Sequence, residues 1–240
     1  MQLTTVEEGW LTDVGSGIAA ALSFIGELTD YHGEPVSTEY ILTVHIAKAL
    51  LARASPQVAV EYLVNRIEGH VLIHDKPQPF TLGSQRFDVA ILDSVAPVFI
   101  VEVKIGVSRI RKLADDLHKI MAYLDYLKPA YATGVLGSCV FQTHVEALGP
   151  RHLDQTTRRI HKMEKEVKEG LAAFAAANPR FEFDWRPFQG PNDRIFDDER
   201  TQDIDGTPMH GRLGYAARYH AVLVRRRSGK DSTAPTVPWL

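Results

Sequence analysis

RFDVAILD (Arg86–Asp93), followed closely by VFIVEVKI (Val98–Ile105), is the stretch that decides the fold. The first run reads as a strand, and the Asp-Ser-Val-Ala-Pro that follows is turn chemistry. So short a connection predicts an antiparallel hairpin. The second run is nearly all apolar, which suits a central strand covered on both faces. Its charged exceptions are Glu102 and Lys104. They stand two apart, so both side chains leave the strand by the same face. Asp88 lies on the partner strand. Two carboxylates and one ammonium can therefore converge in a sheet that is otherwise apolar. Burying such charges is costly unless they pair or bind a metal.

Downstream of the hairpin, Ser108 is expected to cap a helix running to about Leu127. Its stripe of Ile110, Leu113, Leu117, Met121 and Leu124 recurs at helical spacing, and Pro129 follows. Tyr131 to Gln142 reads as a third long strand with a glycine kink. Gln155 to Ala177 reads as a long helix striped by Ile160, Met163, Val167, Leu171 and Phe174. Phe181 to Phe188 and Tyr215 to Arg227 read as strands. Between them, residues 190–214 form a polar loop or lid. The tail from Ser228 is expected to be disordered.

Upstream, residues 5–29 read as a helix or two, with Asp13 to Gly17 as a break, and Asp30 to Val36 as a turn. Ser37 or Thr38 then caps a helix to about Ala54. Residues 57–67 are expected as helix rather than strand, and 70–74 as extended. No internal repeat or boundary interrupts the chain. It is read as one α/β domain: a helical segment over 1–34, a core over 35–145, and a C-terminal helix, strand pair and tail over 150–240. The central sheet is expected to be mixed and flanked by helices.

Composition narrows the class. The chain has 240 residues, 45% hydrophobic and 24% charged, enough to bury a full core. A single cysteine excludes a disulfide framework and a four-thiolate metal site. Lys and Arg total 27 against 30 Asp and Glu, a net charge of −3. Any nucleic-acid contact must therefore be local. MQLTTVEEGW lacks the basic start of a secretory signal, and the apolar run Ile18 to Ile25 is too short to span a bilayer. A cytoplasmic location without a membrane partner is expected.

The carboxylates suggest a chemistry. Asp88 and Glu102 with a backbone carbonyl offer oxygen ligands suited to Mg²⁺ (or Mn²⁺). A cation there can polarise a phosphoryl oxygen and acidify a water. Lys104 can orient or help deprotonate that water. The plain alternative is a cross-strand ion pair of Asp88 with Lys104 on an exposed sheet face.

Asp88, then Glu-x-Lys at the end of an apolar strand, resembles the PD-(D/E)XK nuclease superfamily. The order of a helix, the hairpin, a helix and another strand resembles its restriction-endonuclease-like αβββαβ core, over about residues 35–145. Phe87 stands where the name-giving proline would be, a position at which members often depart. The resemblance implies Mg²⁺-dependent phosphodiester hydrolysis, with DNA as substrate and partner and a homodimer left open. It implies that Asp88 and Glu102 bind metal, that Lys104 serves the attacking water, and that Glu39 supports the metal from the start of the preceding helix. The alternative within the same fold is an inactive module that binds nucleic acid or protein.

Basic residues offer phosphate contacts. Arg109, Arg111, Lys112 and Lys119 flank the site, although Asp115 and Asp116 intervene and a solvated helix face is the competing reading. Arg225, Arg226 and Arg227, with Arg218 and Lys230, form a second cluster that is either a phosphate contact or a solubilising tail. Other features carry less. His70 and His74 lack a third zinc ligand. Cys139 in an apolar strand reads as core. Gly15-Ser16-Gly17 lacks the strand a nucleophile elbow needs, and Gly229-Lys230 is no phosphate loop.

Overall fold

The helix crossing that supports the site rests on a glycine. In the computed structural model, residues 5–29 form one continuous helix, not two. A Cβ on Gly17 would stand 2.6 Å from the Ile46 Cα and 2.8 Å from the His45 carbonyl oxygen. The glycine that reads as a helix break is thus the point where two helix backbones touch, and packing outweighs its poor helix propensity.

The structure describes residues 1–29, 38–53, 57–63, 86–93, 96–127, 132–148, 152–188, 194–198 and 213–227. In chain order these form α1 (Thr5–Thr29), α2 (Thr38–Ala52), β1 (Gln57–Leu63), β2 (Arg86–Asp93), β3 (Ala96–Lys104) and α3 (Arg111–Tyr126). Then follow β4 (Leu136–Leu148), α4 (His152–Ala177), β5 (Phe181–Phe188), β6 (Arg194–Asp198) and β7 (Leu213–Arg226). The strands make one mixed sheet in the order β1-β2-β3-β4-β7-β5, with β6 pairing β7 beside β5. Only β3 and β4 run parallel, and α3 is the crossover that a parallel step requires. The other ladders are antiparallel.

Helices cover both faces. Val89, Val101, Val103 and Leu223 pack against Val14, Ile18, Leu42 and Ile46 of α1 and α2. On the other face, Ile100, Phe141 and Val222 pack against Leu113, Leu117 and Ile120 of α3 and Val167 of α4. The apolar composition of β3 follows directly, since both its faces are dry. α3 lies close on the sheet because Gly137 of β4 has no Cβ; one added there would meet the Ile120 Cγ2 at 2.3 Å. It is one of the two glycines in the stretch read as a kinked strand.

Several local readings change. Residues 57–63 form a strand rather than a helix, because Val58 and Val60 alternate along β1 and pair across to Ile91 and Val89 of β2. Ser108 does not cap α3: Ile110 holds the N-cap position at φ −54°, with no side-chain cap bond. The third strand runs over 136–148 rather than 131–142. The polar segment after β5 contains β6. Ser37, the turn at 30–36, residues 70–74 with both histidines, and the tail from Ser228 lie outside the described residues. Among the described residues, no helix is long and apolar enough to cross a membrane.

Candidate functional site

The sheet opens at Asp88. β1 and β2 pair from Gln57/Leu92 to Val60/Val89 and again at Tyr62/Phe87, but the Glu61/Asp88 row is skipped. Glu61 adopts φ +52°, which is uncommon and strained for a residue with a Cβ. On the other side of β2, the ladder to β3 ends at Val89/Val101, one row before Asp88 and Glu102. In its place, the Val103 N–H donates to the Asp88 Oδ2 at 2.7 Å. The carboxylate stands in for a ladder acceptor at the edge of the gap. The strands also swap faces here. Phe87 and Ala90 join the same core cluster although three residues apart, as do Ala59 and Tyr62, where a regular strand repeats every two.

Glu102 occupies the same row on β3 and points toward α3, with Cys139 of β4 beside it. It is 3% exposed. Its Oε1 meets the Lys119 Nζ, which reaches in from α3, at 2.6 Å. The same Nζ donates to the Arg86 carbonyl at 2.8 Å and stands 5.6 Å from the Phe87 ring centroid. Lys104 follows two residues later on β3, half-buried. Asp116, half-buried three residues before Lys119, acts electrostatically on both lysines. Glu39, in the first turn of α2, comes within electrostatic reach of Asp88 and Lys104.

The charges are not balanced. Burial pushes the Asp88 carboxyl up to about 6; the Val103 N–H and Lys119 oppose this, and Glu39 and Glu61 add to it. Burial likewise raises Glu102 against the pull of Lys119, with Asp88 reinforcing the rise. Asp116 is also raised by burial, with Lys104 and Lys119 opposing. Burial pulls Lys104 down, but Asp116, Glu39 and Asp88 outweigh it and hold the ammonium above its ordinary value. Cys139 is fully buried and its thiol is pushed well up, which leaves it a neutral core group rather than a nucleophile. The exposed ion pair does not form: α3 packs on the face that carries Glu102, and no ion pair joins Asp88 to Lys104 among the described residues.

The donor set suits a hard divalent cation. Asp88 accepts the Val103 N–H through Oδ2 and Glu102 meets Lys119 through Oε1, and both are carboxylates that burial penalises as anions. Mg²⁺ commonly takes one or two carboxylates and keeps several waters. Among the described residues, no group of three or more His, Cys, Asp or Glu is placed to hold a metal ion, so Glu39 does not complete a three-ligand set in this arrangement.

The basic residues divide. Arg109 and Arg111 are exposed just ahead of and at the start of α3, and neither makes an ion pair among the described residues. The Lys112 Nζ donates to the Gly106 carbonyl at 2.6 Å. Lys119, expected among the phosphate contacts, instead turns inward to Glu102. The β7 arginines are engaged within the chain. Arg225 pairs with Glu7 and donates to the Gln2 carbonyl. Arg226 stands 3.6 Å from Asp125, and Arg227 stands 4.0 Å from Glu182. Val222 aligns with Cys139 and Glu102. Arg225 therefore lies about 10 Å along the sheet from that row at strand spacing. Arg218 pairs with Glu164 at 2.8 Å. Ser16 lies within α1 and donates to the Thr12 carbonyl, so Gly15-Ser16-Gly17 forms no nucleophile elbow.

Sequence reading missed Glu61, Asp116 and the inward course of Lys119. The available signal was position: Asp116 and Lys119 each adjoin Leu117 or Ile120 of the buried α3 stripe. No family model, no curated protein and no solved structure matches the chain.

Proposed function

We propose that the chain is a Mg²⁺-dependent nuclease of the PD-(D/E)XK type, with a restriction-endonuclease-like core in α2-β1-β2-β3-α3-β4, acting on DNA. The observation that carries this reading is the end of the β2–β3 ladder just before Asp88 and Glu102, a half-buried and a buried carboxylate in one row, with Lys104 and Glu39 in electrostatic reach. Nothing in a sheet requires such a break, and it is costly unless it serves a ligand.

Asp88 and Glu102 would hold the cation, which when bound supplies Lewis-acid polarisation of a phosphoryl oxygen. Lys104, kept as an ammonium by its acidic neighbours, donates hydrogen bonds to the attacking water or to the scissile phosphate. Glu39 adds negative charge from the opposite layer, stabilised there by the α2 N-terminus. Arg109 and Arg111 hold flanking phosphates outside the gap.

The test is cleavage of plasmid and linear DNA with Mg²⁺, with Mn²⁺ and with chelator. Cleavage should vanish in chelator and fall by about 100-fold or more in Asp88→Asn and in Glu102→Gln. Undiminished cleavage in chelator refutes the proposal. One observation favours a second reading, an inactive binding module: Lys119 already occupies Glu102 Oε1. That reading predicts DNA binding with no calorimetric response to Mg²⁺.

A further inference from the structure

We infer that Lys119 is a built-in competitor for the divalent cation: its ammonium neutralises Glu102 in the cation-free protein and must leave Glu102 when a cation binds. The inference rests on the metal reading of Asp88 and Glu102.

Lys119 lies on α3, and its side chain is only 15% exposed. It gives up hydration for a fixed set of partners. These are the Glu102 Oε1 at 2.6 Å, the Arg86 carbonyl at 2.8 Å and the face of Phe87, with the Nζ 5.6 Å from the ring centroid. Two oxygens and an aromatic face are what a small cation seeks. The ammonium thus occupies a cation position built from the start of β2 and the end of β3. A divalent cation sharing Glu102 would stand within a few ångströms of that positive charge in a site of low dielectric, where repulsion is strong. The two cannot both hold the carboxylate at full strength.

A place for the displaced ammonium exists. Asp116 is three residues earlier on α3, a spacing that puts the two side chains side by side. Its carboxylate already acts on both Lys119 and Lys104. Moving from Glu102 to Asp116 would keep Lys119 paired while freeing Glu102. The cation-free fold is then protected from an unpaired buried acid, and cation affinity is set by the difference between the two pairings.

The test uses the full chain with Mg²⁺ or Mn²⁺ alone. Calorimetry should show Lys119→Met binding Mg²⁺ about tenfold more tightly than the wild type, a difference of about 1.4 kcal/mol. Lys119→Arg keeps the charge and should stay near the wild-type affinity. A second measurement needs no variant. In the ¹⁵N-lysine spectrum, the sheltered Lys119 ammonium should give a slowly exchanging signal that is lost as Mg²⁺ saturates the wild-type protein. Equal Mg²⁺ affinity in wild type and Lys119→Met overturns the inference and leaves the metal reading standing. So does a Lys119 signal that persists unchanged while calorimetry shows Mg²⁺ bound. Absence of Mg²⁺ and Mn²⁺ binding in both proteins overturns the metal reading and this inference together.

Discussion

Replacing Asp88 by Asn should make the cation-free protein more stable at alkaline pH while removing a ligand of the proposed cation site. Burial raises the Asp88 carboxyl from 3.8 to about 6, so the folded chain holds this proton more tightly than the unfolded chain does. A raised folded value contributes stability that is fully present below the unfolded value and is lost as pH rises through the folded one. Between about pH 4 and pH 6 the wild type therefore loses stability through Asp88, and above that range the deficit is about 3 kcal/mol. Asn carries no such penalty. Its carbonyl can still accept the Val103 N–H that Asp88 Oδ2 accepts at 2.7 Å. Its amide adds a donor in a half-buried site, which costs about 1 kcal/mol. The net gain is about 2 kcal/mol, or about 4–8 °C in melting temperature for a chain of this size. Melting curves of both proteins in chelator at pH 4 and pH 8 measure it. The variant should melt close to the wild type at pH 4 and several degrees higher at pH 8. A variant that melts at or below the wild type at pH 8, or a gap equal at both pH values, refutes the reasoning. A gain in stability joined to a loss of Mg²⁺ binding would mark Asp88 as retained at a cost to the fold.

Two further outcomes separate packing from charge. Gly17→Ala should lower stability by about 1–3 kcal/mol, since its Cβ meets the α2 backbone. Gly15→Ala, whose Cβ meets only the Phe188 ring at 3.3 Å, should cost less than Gly17→Ala; equal melting temperatures for the two would remove the argument for helix contact at Gly17. In DNA-binding titrations, the Arg109→Ala, Arg111→Ala double variant should reduce the slope of log affinity against log salt by about 2. Arg225→Ala should leave that slope unchanged and instead cost about 2 kcal/mol, by leaving the Glu7 carboxylate unpaired at 9% exposure. A slope that falls with Arg225 and not with Arg109 and Arg111 would reverse the assignment.

What the sequence discloses follows the range of the interactions. The β2–β3 hairpin is legible because its apolar runs and short turn are local. β1 is not: Gln57–Leu63 becomes a strand through pairing with β2, whose residues lie some thirty positions later. Gly17 reads as a break because the helix it touches is not visible from its neighbours in sequence. The arginine run of β7 reads as free charge because Glu7 lies 218 residues before Arg225. The site divides in the same way. Asp88, Glu102 and Lys104 share a hairpin, and alternation along β3 places the last two on one face. Asp116 and Lys119 look like members of a solvated helix face, and their inward course shows only once Glu102 is placed opposite α3.

A second charge cluster contrasts with the one at Asp88. Glu164 of α4 stands 2.8 Å from the Arg218 guanidinium and 3.1 Å from the His220 ring, both on β7. Burial pushes its carboxyl up, but His220 and Arg218 outweigh burial and hold it below its ordinary value. That acid is satisfied by the fold itself and clasps α4 to the sheet. At Asp88 the balance has the opposite sign. Asp88, Glu102 and Asp116 are all raised, with Glu39 and Glu61 contributing more negative charge and, among the described residues, Lys104 and Lys119 opposing them. A cluster meant only to tie strands together would be expected to resemble Glu164, because each unpaired buried charge costs stability. Among the described residues, the acid excess at Asp88 coincides with a skipped row in one ladder, the end of another and a strained Glu61, so three separate costs fall on a single row of the sheet. The divalent cation proposed above would relieve the charge excess directly, whereas an ion pair internal to the fold relieves only part of that cost.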